Sequence, residues 1–224
     1  MKHEKGFLLS YTKYGENDAV LCIYTYSEGY KSFFLKGLYS KKNKKKSLLQ
    51  YLLEIEFCVN LKTSRLSTIF NIQLCNRFTE WSSKIGTVQF FIADFLNIIL
   101  KNEGQNEGIY SKINEFLIEL NKENFSAHLQ FLILLTQNLG ISPLLSNEVY
   151  LNPEKGIFES SKSHILFDKK KSSLWKNILS ERYSMTLYNY DRGNLLESIL
   201  VYYSMHVAEF RKPISLEVIQ QIWK

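Results

Sequence analysis

The hydrophobic pattern changes its period once along this chain, near Phe78, and that change restricts the fold more than any other feature. Before it, short runs rich in aromatic and β-branched residues are separated by turn signals. The stretch 6–14 closes in Gly15-Glu16-Asn17-Asp18, and 19–26 runs through Ser27-Glu28-Gly29, short enough for a hairpin, into 30–38. The stretches 48–61 and 67–78 complete five predicted strands in about eighty residues, which suggests a small closed or nearly closed barrel. An OB-fold fits the strand count, with an SH3-like barrel as the competitor. After Phe78 the apolar residues recur every three to four positions. Val88, Phe91, Ile92, Phe95, Leu96, Ile99 and Leu100 mark a helix over 85–101, and Ile113, Phe116, Leu117 and Leu120 mark another over 110–120. The stretch 124–139 is apolar almost all round, as a helix at the centre of a bundle should be, and Gly140 with Pro143 stops it. Further helices are expected over 173–180, 191–210 and 215–223. The expected class is α+β: a five-stranded OB-fold barrel over 1–80, then an α-helical domain over 81–224 with a small irregular or β insertion near 149–168.

Charge is concentrated in one connection of that barrel. Residues 36–47 carry Lys36, Lys41, Lys42, Lys44, Lys45 and Lys46 and no acid. Between Lys31 and Arg65 there are nine basic residues, including Lys62, against Glu54 and Glu56 alone, whereas the whole chain has a net charge of +6. A basic loop slung between two strands either keeps a protein soluble or captures an anion, and the long anion available to a basic protein is a nucleic-acid backbone. Aromatic residues crowd the first three strands: Tyr11, Tyr14, Tyr24, Tyr26, Tyr30, Phe33, Phe34 and Tyr39. Tyr24, Phe33 and Phe34 read as core; exposed rings beside lysines, with Tyr30 and Tyr39 the candidates, suit single strands, whose bases stack while ammonium groups meet phosphates. Lysine rather than arginine dominates, which favours backbone contact over base reading. Lys169–Lys171 form a second, shorter basic run.

Catalytic signals are missing from the sequence. The ten glycines are scattered without a nucleophile-elbow, phosphate-loop or dinucleotide spacing. His3, His128, His164 and His206 lie far apart; His128 falls in the most apolar helix and reads as a hydrogen-bonded core residue. Glu54 and Glu56 alternate on one predicted strand face and read as solvated carboxylates. The three cysteines, Cys22, Cys58 and Cys75, form no close pair and read as buried thiols of a reducing cytosol. Met1 to Lys5 leads directly into a strand, so no signal peptide is expected, and no apolar run is long enough for a membrane span.

Several short motifs in order bear a family likeness. Gly6-Phe7-Leu8-Leu9-Ser10, Tyr14-Gly15-Glu16-Asn17-Asp18-Ala19-Val20, Ile23-Tyr24-Thr25, Glu28-Gly29-Tyr30 and Lys36-Gly37 together resemble the N-terminal signature of the RecO DNA-repair proteins, in the version found in Bacteroidetes-like bacteria. His128-Leu129-Gln130-Phe131-Leu132 with Leu139-Gly140-Ile141-Ser142-Pro143 resembles the family's central helix, and Arg192 to Tyr203, His206 and Ser215 to Ile219 resemble its C-terminal helices. The resemblance implies an OB-fold, a helical domain and no enzymatic activity. It implies a recombination mediator that binds single- and double-stranded DNA, anneals complementary strands and, with RecR, helps load RecA onto strands coated by single-strand binding protein (SSB). It also implies recognition of the acidic C-terminal tail of SSB by the helical domain, and a cytoplasmic, nucleoid-associated location. Many relatives carry a four-cysteine zinc site in the C-terminal half; with no cysteine after Cys75, neither zinc nor another cofactor is expected here. The expected DNA contacts are Lys31, Lys36, Lys41, Lys42, Lys44, Lys45, Lys46, Lys62 and Arg65, with base stacking on Tyr30 and Tyr39. A protein–protein adaptor using the helical domain to bind an acidic partner tail, and an RNA-binding OB protein, are the alternatives.

Overall fold

A computed structural model of the chain describes residues 2–40, 49–60, 66–75, 82–185 and 187–221. Its described strands are β1 Lys2–Tyr14, β2 Asp18–Thr25, β3 Gly29–Leu35, β4 Glu54–Asn60 and β5 Thr68–Leu74, followed later by the short β6 Tyr150–Asn152 and β7 Ile157–Glu159. The first five close into a barrel in the order β1-β2-β3-β5-β4, and β4 returns to β1. All pairs are antiparallel except β3 with β5, where Phe34 faces Thr68 and Leu35 faces Ile69. This closed five-stranded, OB-like arrangement removes exposed sheet edges. Closure depends on β1, which is long enough to serve two partners: residues 2–7 pair with β4, and 6–14 pair with β2. A register shift between Leu8 and Ser10 bends the strand between those two roles. Inward alternation supplies the core, with Leu8, Leu21, Ile23, Phe33, Leu35, Ile55, Phe57, Val59 and Ile69 all buried. Each such side chain contributes about 1.5–3 kcal/mol by leaving water.

Two compact units emerge. The first holds residues 1–107 together with 213–215, so the helix α1, Ser83–Ile99, belongs with the barrel and the unit runs past residue 80. Ser82 caps α1 by accepting from the Ile85 amide, and Ile85, Val88, Phe91, Ile92, Phe95, Leu96 and Ile99 form its buried face. Asn97 Oδ1 accepts from Tyr30 Oη (2.9 Å) and Ser10 Oγ (3.2 Å), which ties the helix to β3 and β1. The Ser215 amide and hydroxyl both donate to Asp94 Oδ2, at 3.0 and 2.7 Å.

The second unit holds residues 108–212 and 216–224. Its helices are α2 Glu107–Asn121, α3 Ala127–Asn138, α4 Lys169–Glu181, α5 Asn189–His206 and α6 Leu216–Gln221, with β6 and β7 forming a two-stranded hairpin inside the 149–168 insertion. The α3 residues 127–136 are all buried, as the all-round apolar pattern requires. The large rings of this core have their polar tips bonded: Trp175 Nε1 to Ser198 Oγ, Tyr202 Oη to the Ile141 carbonyl and Tyr203 Oη to the Leu132 carbonyl.

Five local expectations are corrected. The strand expected from residue 48 begins at Glu54, because Leu52 adopts φ +60° and turns its amide to the Leu8 carbonyl at 2.7 Å. The helix expected from residue 173 begins at Lys169, because Asp168 caps it by accepting from the Lys171 amide. The helix expected to reach residue 210 ends at His206; Val207 is extended, and Phe210 folds back to 6.0 Å from the Tyr203 ring. Glu54 is buried rather than solvated and lies 3.5 Å from Lys5 Nζ, while Glu56 is exposed. Cys58 is buried, but Cys22 and Cys75 are only partly so. Among the described residues no helix is long and apolar enough to cross a membrane.

Candidate nucleic-acid interface

The barrel's register decides which basic residues can act together. Ala19 pairs with Leu35, Leu35 with Ile69, and Asn60 with Thr68. The β1–β2 turn, the exit from β3 and the two ends of the β4–β5 connection therefore open at one end of the barrel. Lys36 stands exposed at that exit. The exit is pinned to the β1–β2 turn: the Gly37 amide donates to Asp18 Oδ1 at 2.7 Å, and the Tyr39 amide donates to the Asn17 carbonyl at 2.8 Å. Lys13 Nζ sits over the Tyr39 ring, 5.6 Å from its centroid, and adds a cation from β1. Lys41, Lys42, Lys44, Lys45 and Lys46 follow directly in sequence but lie outside the described residues, as do Lys62 and Arg65 between Asn60 and Leu66.

The chain returns from the lysine run at Leu49, which is buried in the barrel core, as is Leu38 on the outgoing side. The Leu8 amide donates to the Leu53 carbonyl at 3.2 Å, so both stems of the connection are fastened to the barrel by apolar anchors and backbone bonds. Tyr51 on the returning stem stacks on Tyr11 at 5.5 Å and meets Phe90 of α1 at 4.9 Å. Burial beside Tyr11 raises the Tyr51 hydroxyl above its ordinary pKa, so it stays neutral at physiological pH. Leu49, Gln50 and Tyr51 form one wall of a cleft of 440 Å³, and Ser83, Gly86, Thr87, Gln89 and Phe90 form the other. Half-exposed rings and cations thus occur together around the stems of the basic connection.

Other expected residues are placed differently. Tyr30 and Lys31 lie at the opposite end of β3 from Lys36. Tyr30 is half-buried with its hydroxyl committed to Asn97, and burial pushes that hydroxyl's pKa well up. Lys31 Nζ lies 3.4 Å from Glu28, which also binds Lys2. Tyr24 is fully buried, and burial pushes its hydroxyl up to about 12. Phe33 is buried, while Phe34 is partly exposed and meets the Tyr14 ring edge-on. In the helical unit, Lys170 pairs with Asp191 at 2.5 Å and Lys171 with Asp168 at 2.7 Å, so most of that second basic run is neutralised locally. Sequence reading missed Lys13, Tyr51 and Phe90. Their positions at the ends of apolar runs offered a faint signal, but only the fold brings them beside the lysine stems.

Among the described residues no group of three or more His, Cys, Asp or Glu side chains could hold a metal ion. His128 is wholly buried with Nδ1 2.9 Å from the Phe125 carbonyl, and His206 Nε2 lies 2.7 Å from the Pro153 carbonyl; both are structural.

Comparison with known proteins agrees with this architecture. Residues 1–78 match the family model described as Recombination protein O N terminal. Over 238 aligned residues the chain is 30% identical to the DNA repair protein RecO of Christiangramia forsetii, covering 99% of this chain and 98% of that one. It is 25% identical to the protein of the same name from Flavobacterium psychrophilum, covering 98% of each, and 25% identical to that from Bacteroides fragilis, covering 97% of each. Full-length similarity, together with a closed five-stranded barrel followed by helices, shows that the chain belongs to the RecO family of DNA repair proteins.

Proposed function

We propose that the chain is a non-enzymatic recombination mediator that binds single- and double-stranded DNA and anneals complementary strands. In this reading it works with RecR to help RecA load onto SSB-coated DNA, the helical unit receives the acidic SSB tail, and the protein acts in the cytoplasm on the nucleoid without a cofactor. The observation that carries the reading is the convergence of the β1–β2 turn, the β3 exit and the β4–β5 connection at one barrel end. Those connections contain Lys36, Lys41, Lys42, Lys44, Lys45, Lys46, Lys62 and Arg65. Lysines there meet phosphates as point charges, whereas Lys31, at the far end of β3 and already beside Glu28, can add only a contact remote from that surface. Tyr39, beneath Lys13, offers a ring for stacking; Tyr30 can contribute only the part of its ring left uncovered. Annealing follows physically when one basic surface neutralises two strands at once and lowers their mutual repulsion.

The test is to replace Lys41, Lys42, Lys44 and Lys45 by glutamate. Affinity for a fluorescent single strand, read by anisotropy, should fall roughly tenfold or more. Annealing of SSB-coated complementary oligonucleotides should fall with it, and the melting temperature should stay the same. Undiminished DNA binding would retire the lysine assignment.

A further inference from the structure

We infer that the cleft between the returning stem, Leu49–Tyr51, and the first two turns of α1 receives a single unstacked nucleobase of the strand whose backbone the lysines hold. This rests on the DNA-binding reading above. Three observations on the described residues carry it. The cleft holds 440 Å³, within the range of small-ligand sites, and two of its lining side chains are the partly exposed rings Tyr51 and Phe90. Those rings touch each other at 4.9 Å with a 48° tilt, so a base lies against their open faces and not between them. Gln89 lines the same cleft, is only 2% exposed, and its Nε2 has no hydrogen-bond partner among the described residues. A buried amide donor without an acceptor is unfavourable, and native structures rarely tolerate one unless a ligand or water completes it. A nucleobase presents ring carbonyls that accept such a bond, while its π-face suits the aromatic wall.

Charge selects the occupant. The wall residue Leu49 is three residues from Lys46, so a strand held by the run has its bases within reach of Tyr51. Tyr11, stacked on Tyr51, continues the aromatic surface along β1. α1 has no acidic residue in its first turn, and Asp94, the acid of that helix whose charge is felt at Tyr51, is occupied by the Ser215 amide and hydroxyl. The donor-plus-ring combination tolerates many bases but favours those with an exposed carbonyl, as in thymine.

The full chain should be compared on two fluorescent oligonucleotides of equal length, one of thymidine and one with abasic sugars throughout. The wild type should prefer the thymidine strand by about tenfold, the scale on which one stacked base contributes. Gln89→Leu, which replaces the unpaired amide by a group of similar size, and Phe90→Ala should each shrink that preference. The slope of affinity against salt should stay unchanged, because phosphate contacts are untouched. Gln89→Leu should fold at least as stably as the wild type, which keeps the test meaningful if Phe90→Ala is unstable. Equal affinity for the two strands in the wild type overturns the cleft assignment while leaving DNA binding intact. Binding to neither sinks the parent reading together with this one. Displacement of the thymidine strand by an acidic peptide, abolished in both variants, would overturn it by giving the cleft to a protein partner.

Discussion

At the scale of single residues, the buried histidine of α3 makes the sharpest prediction. His128 is wholly enclosed, and its Nδ1 faces the Phe125 carbonyl, so the neutral ring carries its proton there. Burial, aided by the nearby Arg192 charge, lowers the ring's pKa to about 3. In the unfolded chain it titrates near 6.5. Between those two values the unfolded state binds the extra proton, so the stability that comes from keeping this ring neutral is complete above pH 6.5. It is lost progressively as pH falls toward 3. Melting temperature should therefore decline from pH 7 to pH 4.5, and the decline should be shallower in His128→Leu, whatever that variant's stability at pH 7. Parallel curves for the two proteins would show that other groups set the acid sensitivity. So weakly basic and wholly enclosed a ring is a poor proton acceptor near pH 7, in keeping with the core role its apolar sequence surroundings suggested.

At the scale of elements, Gly29 shows how a hairpin and a distant loop constrain each other. It opens β3 with φ +73°, and a Cβ there would meet the Gly104 carbonyl carbon and oxygen at 2.2 Å. The loop is held against the hairpin because Tyr30 N–H donates to the Glu103 carbonyl and Tyr24 Oη to the Gly104 carbonyl. Gly29→Ala therefore combines left-handed strain with overpacking and should lower stability by about 2–4 kcal/mol in urea titration. Gly15→Ala is the control, since Gly15 has φ +59° but open space around it and should show the strain alone. Equal losses would mean that the Gly104 contact yields freely. The Glu28-Gly29 turn was legible in the sequence, as were all five barrel strands, because alternation and turn residues are local signals. What failed was also local in origin. A continuous apolar run hid the turn at Leu52, three lysines masked the first turn of α4, and neither Asp168 as a cap nor φ +60° at a leucine is written in hydrophobicity. The meeting of Tyr51 with Phe90 and the parallel β3–β5 pair required closure of the whole barrel, so no short window of sequence contained them.

For the whole molecule, the distribution of charge separates a DNA-binding mediator from an adaptor that grips one acidic peptide. The segment from Lys31 to Arg65 carries more positive excess than the entire chain, so the remainder is close to neutral. Lys170 and Lys171 in the helical unit are already paired with carboxylates, and Lys31 shares Glu28 with Lys2, whereas the sequence from Lys36 to Ser47 contains six lysines and no acid. If four to six of those lysines displace counterions from a single strand, log affinity should fall against log salt with a slope of about −3 to −4. Replacing Lys41, Lys42, Lys44 and Lys45 by glutamate should remove about three units of that slope, because each phosphate contact on a single strand accounts for roughly 0.7. A short acidic tail engages fewer charges and is not a polyelectrolyte with a condensed ion atmosphere, so its slope would be shallow. Titrating salt with a single strand and with an acidic peptide on the same protein thus assigns the basic connection. A steep slope for DNA that collapses in the variant identifies it as the phosphate site. A shallow slope for DNA, insensitive to the substitutions, would give the adaptor reading precedence and leave the barrel's basic end without its proposed partner.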